Sequence, residues 1–219
     1  MKRNSSVRFV KPRLEKLEDR VQPSFLLSGT VQQQLLPPLQ AMLTDLQAAK
    51  DHGAREHAMF LFAVAHGARA SEICNLRIAD LNFKSEQVHI ARLKGSLDST
   101  QTLLRVKGSA LFNETSALKA WLDVRKSDAD DFVFNSQKAI RLSRITVYKL
   151  FRAIARAAGL PETLQHPHVL KHTAAMLMVR AGANAFLIRQ HLGHRSFDST
   201  LAYVNHHPIR ADTRNVTYR

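Results

Sequence analysis

The chain has 219 residues, 45% of them hydrophobic, with 8 Gly and 7 Pro, enough apolar material for one sizeable core and the wrong composition for fibrous or low-complexity architectures. Its 32 Lys and Arg against 18 Asp and Glu give a formal charge of +14, which favours a polyanionic partner because each neutralised phosphate releases a counterion. A lone cysteine, Cys74, excludes an internal disulfide, and no apolar run approaches the ~18 residues of a membrane span, so a cytoplasmic chain with no membrane partner is expected.

Residues 1–30 read as a disordered basic arm, since Lys2, Arg3, Arg8, Lys11, Arg13, Lys16 and Arg20 outnumber three acids and no apolar period develops. From Pro38 the spacing is helical. Leu39, Met42, Leu43 and Leu46 form one stripe, and Met59, Phe60, Phe62 and Ala63 another, so two helices precede Gly67. Arg69 opens the next helix, in which Cys74 takes an apolar, buried position. A β-hairpin follows: Val88, Ile90 and Leu93 lead into the Gly95-Ser96-Leu97-Asp98-Ser99 turn and then Thr100-Gln101-Thr102-Leu103-Leu104. Helices resume near 116–124, 143–158, 168–181, 185–192 and 199–205, with Gly159, Gly182 and Gly193 as stops. The expected fold is mainly α with a small antiparallel β-sheet.

Residues 141–219 hold twelve Lys or Arg against three acids, and seven of the eleven histidines, which marks this end as the nucleic-acid face. Within the helix at 143–158, Lys149, Arg152 and Arg156 fall on one side at i, i+3 and i+7, while Leu150, Phe151, Ile154 and Ala158 take the other. Transferring a phosphodiester without a metal needs a nucleophile, cations around the non-bridging oxygens, an acid for the leaving oxygen and a base. The chain has a candidate for each. Arg69 at a helix start can join free amides in holding an anion, and Lys94 ends a strand beside a glycine turn. His168, Lys171 and His172 share a helical face; His194 follows Leu192-Gly193; Tyr203 is one of three tyrosines. Taken singly, Arg69 reads as a surface arginine or partner of Glu72, Lys94 as a solvated tip and Tyr203 as a core residue. Two histidines four apart also suit zinc, but Val169 stands where the H-E-x-x-H pattern has glutamate, so no metal is expected.

The segments Gly67-Ala68-Arg69-Ala70-Ser71-Glu72-Ile73, His168-Val169-Leu170-Lys171-His172-Thr173, Leu192-Gly193-His194 and Tyr203 resemble, in order and spacing, the four boxes of the tyrosine recombinases, or phage integrases. The resemblance runs from about Pro38 to His206, and Lys94 falls at the family's hairpin lysine. Within the family the chain looks most similar to the recombinases of fimbrial phase switching, through His66 to Cys74, Arg92-Leu93-Lys94 and His166-Pro167-His168.

The resemblance implies a catalytic domain over 31–206 and a tail, 207–219, that contacts a neighbouring protomer. It also implies site-specific DNA integration, excision or inversion through a 3′-phosphotyrosyl intermediate on Tyr203, without a cofactor. Arg69 and Lys171 would hold the non-bridging oxygens, His194 would add a hydrogen bond, Lys94 would protonate the leaving oxygen and His168 would assist the proton at Tyr203. Glu72 would orient this set, with His172 at hand beside Lys171. Arg144, Lys149, Arg152 and Arg156 would face double-stranded DNA. The implied assembly is a homo-oligomer, a tetramer on paired sites, aided by an accessory DNA-bending protein. One residue departs from the pattern: the family's H-x-x-R arginine is Lys171 here, a point charge where a planar fork is usual, which implies reduced activity. The alternative is a DNA-binding regulator or architectural protein that keeps the recombinase fold with weak or lost catalysis.

Overall fold

The computed structural model describes residues 37–49, 53–92, 95–125, 131–136 and 141–206. The expected arm at 1–30, the tail at 207–219 and, in the hairpin, Leu93 and Lys94 lie outside these residues.

Helix α1 (Pro37–Ala48) buries Leu39, Met42, Leu43 and Leu46, the stripe that the sequence shows. It packs on α2 (Gly53–His66), where the outcome differs from a one-sided stripe: every residue from Arg55 to His66 is buried. Helix α2 is therefore the axis of the core. Phe60 meets Phe151 edge-on at 5.5 Å and Phe62 meets Phe134 at 6.4 Å. The polar residues of its first turn are buried in pairs, with Arg55 Nη2 donating to Glu56 Oε1 at 2.6 Å and Nη1 to the Asn135 carbonyl.

After α2 come α3 (Ala70–Asn75) and a three-stranded antiparallel sheet of β1 (Leu81–Asn82), β2 (Gln87–Ile90) and β3 (Ser99–Thr102), in that order. Val88 pairs with Leu81 on one side and Gln101 on the other. The hairpin is the expected one, and β1, two residues long, is an addition too short to carry a period. Cys74 is a free, buried thiol.

Helix α4 (Glu114–Val124) begins before the expected Ser116 because the Asn113 side chain caps it, accepting from the Ser116 amide. Ser143 likewise caps α5 (Arg144–Ala157) and Asn184 caps α7 (Ala185–Leu192). Between them lies α6 (His168–Arg180), and α8 (Asp198–His206) follows. Helices α4 and α6 pack on α2, and α7 and α8 pack on α6, so the carboxyl-terminal helices meet the end of α2. Among the described residues no helix is long and apolar enough to cross a membrane.

At that meeting point Gly67 adopts φ +56° and lies so close to α7 that a Cβ would stand 2.3 Å from Leu192 Cδ2. Gly67→Ala should therefore lower stability by more than the roughly 1–2 kcal/mol of a left-handed non-glycine residue. Urea unfolding of the two proteins measures the difference.

Candidate active site

Arg69 is the N-cap of α3, and it is tied to the residue three positions on: its amide donates to Glu72 Oε2 and its Nη1 to Glu72 Oε1, both at 2.8 Å. The same Nη1 reaches Ser96 Oγ at 3.2 Å, linking the helix to the hairpin. The Glu72 side chain is wholly buried and accepts a further bond, at 2.8 Å, from Arg92 Nη1. Burial alone would push the Glu72 carboxyl up. Arg92, the amide and guanidinium of Arg69, and Lys171 together hold it below the usual carboxylate range.

Arg92, just past β2, is the functional residue that the sequence reading quoted only as part of a resemblance. Its Nη2 donates to the carbonyls of His66 at 2.9 Å and His191 at 2.6 Å, and its Nη1 also reaches the Gly67 carbonyl. One guanidinium thus joins the end of α2, the Glu72 carboxylate and the end of α7. The signal for this role is complete burial of a charged fork, which no local pattern displays.

Lys171, on α6, is 6% exposed, and its Nζ donates to the Leu192 carbonyl at 2.6 Å. Burial, followed by the neighbouring charges of Arg92 and Arg69, brings its ammonium down to about 7, with Glu72 opposing. Helix α7 closes with Gly193 at φ +63°, where a Cβ would meet Arg92 Cγ at 2.9 Å. This turn delivers His194, whose backbone Arg189 Nε holds at 3.1 Å.

His194 Nδ1 is hydrogen-bonded to the Thr200 hydroxyl at 3.0 Å. Burial first, then Lys171, Arg69 and Arg92, pushes this imidazole down to about 4, so it is neutral at neutral pH. Its ring lies nearly parallel to that of Tyr203, with centroids 6.2 Å apart.

Tyr203 sits on α8 with its hydroxyl 2.6 Å from His172 Nδ1. Burial raises the phenol's pKa, with Arg69 opposing, so it keeps its proton. Burial, then the charges of His168, His166 and Lys171, lowers the His172 pKa. An imidazole whose protonation is disfavoured therefore faces a phenol that keeps its proton.

Of the residues singled out in the sequence, the fold brings together Arg69, Glu72, Lys171, His172, His194 and Tyr203. His168, one turn before His172, is exposed, with its ring edge-on to His166 at 6.3 Å. Lys149, Arg152 and Arg156 are exposed on α5, as the spacing predicts, and so is Arg144; the buried side is Val147, Phe151 and Ala155, of which the spacing named only Phe151, while Leu150, Ile154 and Ala158 are partly buried. Arg152 is shared with Glu162 at 3.3 Å. A phenol beside a neutral base, with a guanidinium, a near-neutral ammonium and an imidazole N–H around it, can attack a phosphodiester and stabilise the charge that develops.

The cluster holds the residue types that phosphodiester transfer without a metal requires. The Phage integrase family profile matches residues 38–209, and the chain belongs to that family. It is a tyrosine recombinase, a site-specific DNA recombinase similar to those of fimbrial phase switching. The Type 1 fimbriae regulatory protein FimB of Escherichia coli strain K12 is 37% identical over 155 residues, which are 69% of this chain and 74% of that protein. A tyrosine recombinase of Pseudothermotoga lettingae is 31% identical over 152 residues, 69% of this chain and 49% of its own. Among solved structures, XerA recombinase superposes with a TM-score of 0.60 at 26% identity, over 80% of this chain and 65% of that one. The Tn1549 transposon integrase in complex with circular intermediate DNA shares the fold at a TM-score of 0.64 and 19% identity, over 77% of this chain and 61% of that one. The chain thus spans about half to two thirds of these longer recombinases.

The lowered Lys171 pKa has a stability consequence. Folded Lys171 loses its proton near 7, whereas an unperturbed lysine holds it to 10.5, so between these values the unfolded chain binds more protons and stability rises with pH. The rise is at most about 1.4 kcal/mol per pH unit. Lys171→Met should flatten it, as read by urea unfolding at a series of pH values across that window.

Proposed function

We propose that Tyr203 attacks a scissile phosphate of duplex DNA, forms a 3′-phosphotyrosyl bond and releases a 5′-hydroxyl, which reverses the step on a partner strand. The observation that carries this reading is the Tyr203 hydroxyl bonded to a neutral imidazole at 2.6 Å beside Arg69 and Lys171. Exchange of one phosphodiester for another conserves the bond energy and needs no cofactor.

Glu72 and Ser96 engage Nη1 of Arg69, whose side chain is 28% exposed, so Nη2 and Nε are the donors for a non-bridging oxygen. Lys171 adds its charge when protonated, and an incoming phosphate favours that form. His194 donates from Nε2. Lys94 is, by resemblance, the acid for the 5′-oxygen. Arg144, Lys149, Arg152 and Arg156 bind the duplex from α5. The catalytic domain covers 31–206, the tail at 207–219 contacts a neighbouring protomer, and the working form is a tetramer on paired sites in the cytoplasm, helped by an accessory DNA-bending protein. A non-cleaving regulator would have no use for the phenol–imidazole pair.

On a nicked duplex carrying a site recovered by sequencing protein-bound DNA, the native chain should form a covalent adduct. Tyr203→Phe should abolish the adduct with near-native duplex affinity, because only the nucleophilic oxygen is lost. Gel separation of covalent and non-covalent complexes reads both.

Replacing Arg152 and Arg156 together by alanine should weaken binding and reduce the slope of log affinity against log salt by about one unit per lost phosphate contact. An unchanged slope across a salt titration would assign α5 an ordinary solvated face.

A further inference from the structure

We infer that His172 is the catalytic base for Tyr203, its Nδ1 taking the phenolic proton as the tyrosyl oxygen attacks and returning it when the strand is rejoined. This assignment rests on the recombinase reading above and moves the proton role away from His168, which the family resemblance favours.

The geometry is direct. Tyr203 Oη and His172 Nδ1 are 2.6 Å apart, inside the range for proton transfer without an intervening water. The rings lie 5.6 Å apart, tilted by 50°, so the nitrogen and not the ring face meets the hydroxyl. His194 is the other imidazole at this tyrosine, but its ring is nearly parallel to the phenol and its Nδ1 is tied to Thr200, which turns its nitrogens to other work. His168 lies one helical turn away beside His166, exposed as His172 also is, and acts on His172 as a neighbouring charge.

Electrostatics fit both directions of the reaction. The half-buried phenol holds its proton, so attack needs a base at the oxygen. His172 is that base in its neutral form. Once protonated, the ring shares its surroundings with Lys171, His168 and His166, which disfavour a second charge and make the imidazolium a ready donor for the return step.

The step balances. The Tyr203 O–H bond breaks, its proton goes to His172 Nδ1, the phenolic oxygen bonds to phosphorus, and the P–O5′ bond breaks. The 5′-oxygen takes a proton from the ammonium acid that the resemblance assigns to Lys94. Rejoining runs the same transfers backward.

The test uses the full chain on the nicked duplex, in single turnovers, with tyrosine or 3,5-difluorotyrosine at position 203. His172→Ala and His172→Asn, neither able to accept a proton, should slow adduct formation by about a hundredfold or more, and His168→Ala by less than about tenfold. The fluorinated phenol ionises more easily and needs a base less, so it should restore at least about tenfold in the His172 variants and change the native rate little. Retention of rate in the His172 variants, or the same fluorine effect in native and variant proteins, overturns the assignment while leaving Tyr203 as nucleophile. Absence of any Tyr203 adduct from the native chain overturns the recombinase reading and this assignment with it.

Discussion

A single carboxylate holds this site in shape. Glu72 lies in a fully buried position and receives the Arg69 amide, the Arg69 guanidinium and the Arg92 guanidinium. Taking any one of these charges out of water is costly, and they remain ionised because each satisfies another. Removing one partner of such a set typically costs about 3–5 kcal/mol, since the charges left behind are uncompensated. Through Arg92 the same carboxylate reaches the carbonyls that end α2 and α7, so the box holding Arg69 and the turn holding His194 are fixed relative to one another.

A second buried knot supports the first from behind. His66, the last residue of α2, places Nδ1 at 2.7 Å from Gln101 Oε1 of β3 and Nε2 at 2.9 Å from Glu114 Oε1 at the start of α4. Gln101 uses its amide nitrogen on Ser99 Oγ and on the His191 carbonyl. The Leu104 amide donates to Glu114, and His191 Nε2 bonds to the Ala65 carbonyl. Sheet, axial helix and α7 therefore share one polar network beneath the reacting groups. A nucleophile and its phosphate ligands must be held to within a fraction of an ångström, and rigid elements do this better than loops.

The sequence makes visible what depends on near neighbours in the chain. The α1 stripe, the β2–β3 hairpin and the exposed cationic side of α5 follow from local spacing and emerge as read. What escaped depends on distant partners. Nothing in the run from Arg55 to His66 announces that α2 is enclosed on every side, because that requires α1, α4 and α6 to be in place. Arg92 looks like any strand-end arginine until Glu72 and two carbonyls from other elements converge on it. His168 and His172 share a face at i and i+4, and only the docking of α8 decides which of them meets Tyr203. The substitution at Lys171 is legible, but its burial against the Leu192 carbonyl is not.

That buried lysine gives the chain a property that a recombinase with arginine in this place lacks. An arginine stays charged throughout the physiological range, whereas burial brings the Lys171 ammonium down to about 7. On the proposed reading, a phosphate that enters beside it draws a proton from solvent, so DNA docking consumes hydrogen ions and its apparent enthalpy depends on the ionisation heat of the buffer. The affinity is then linked to acidity: alkaline conditions loosen the complex before any backbone element moves, and a modest fall in pH tightens it.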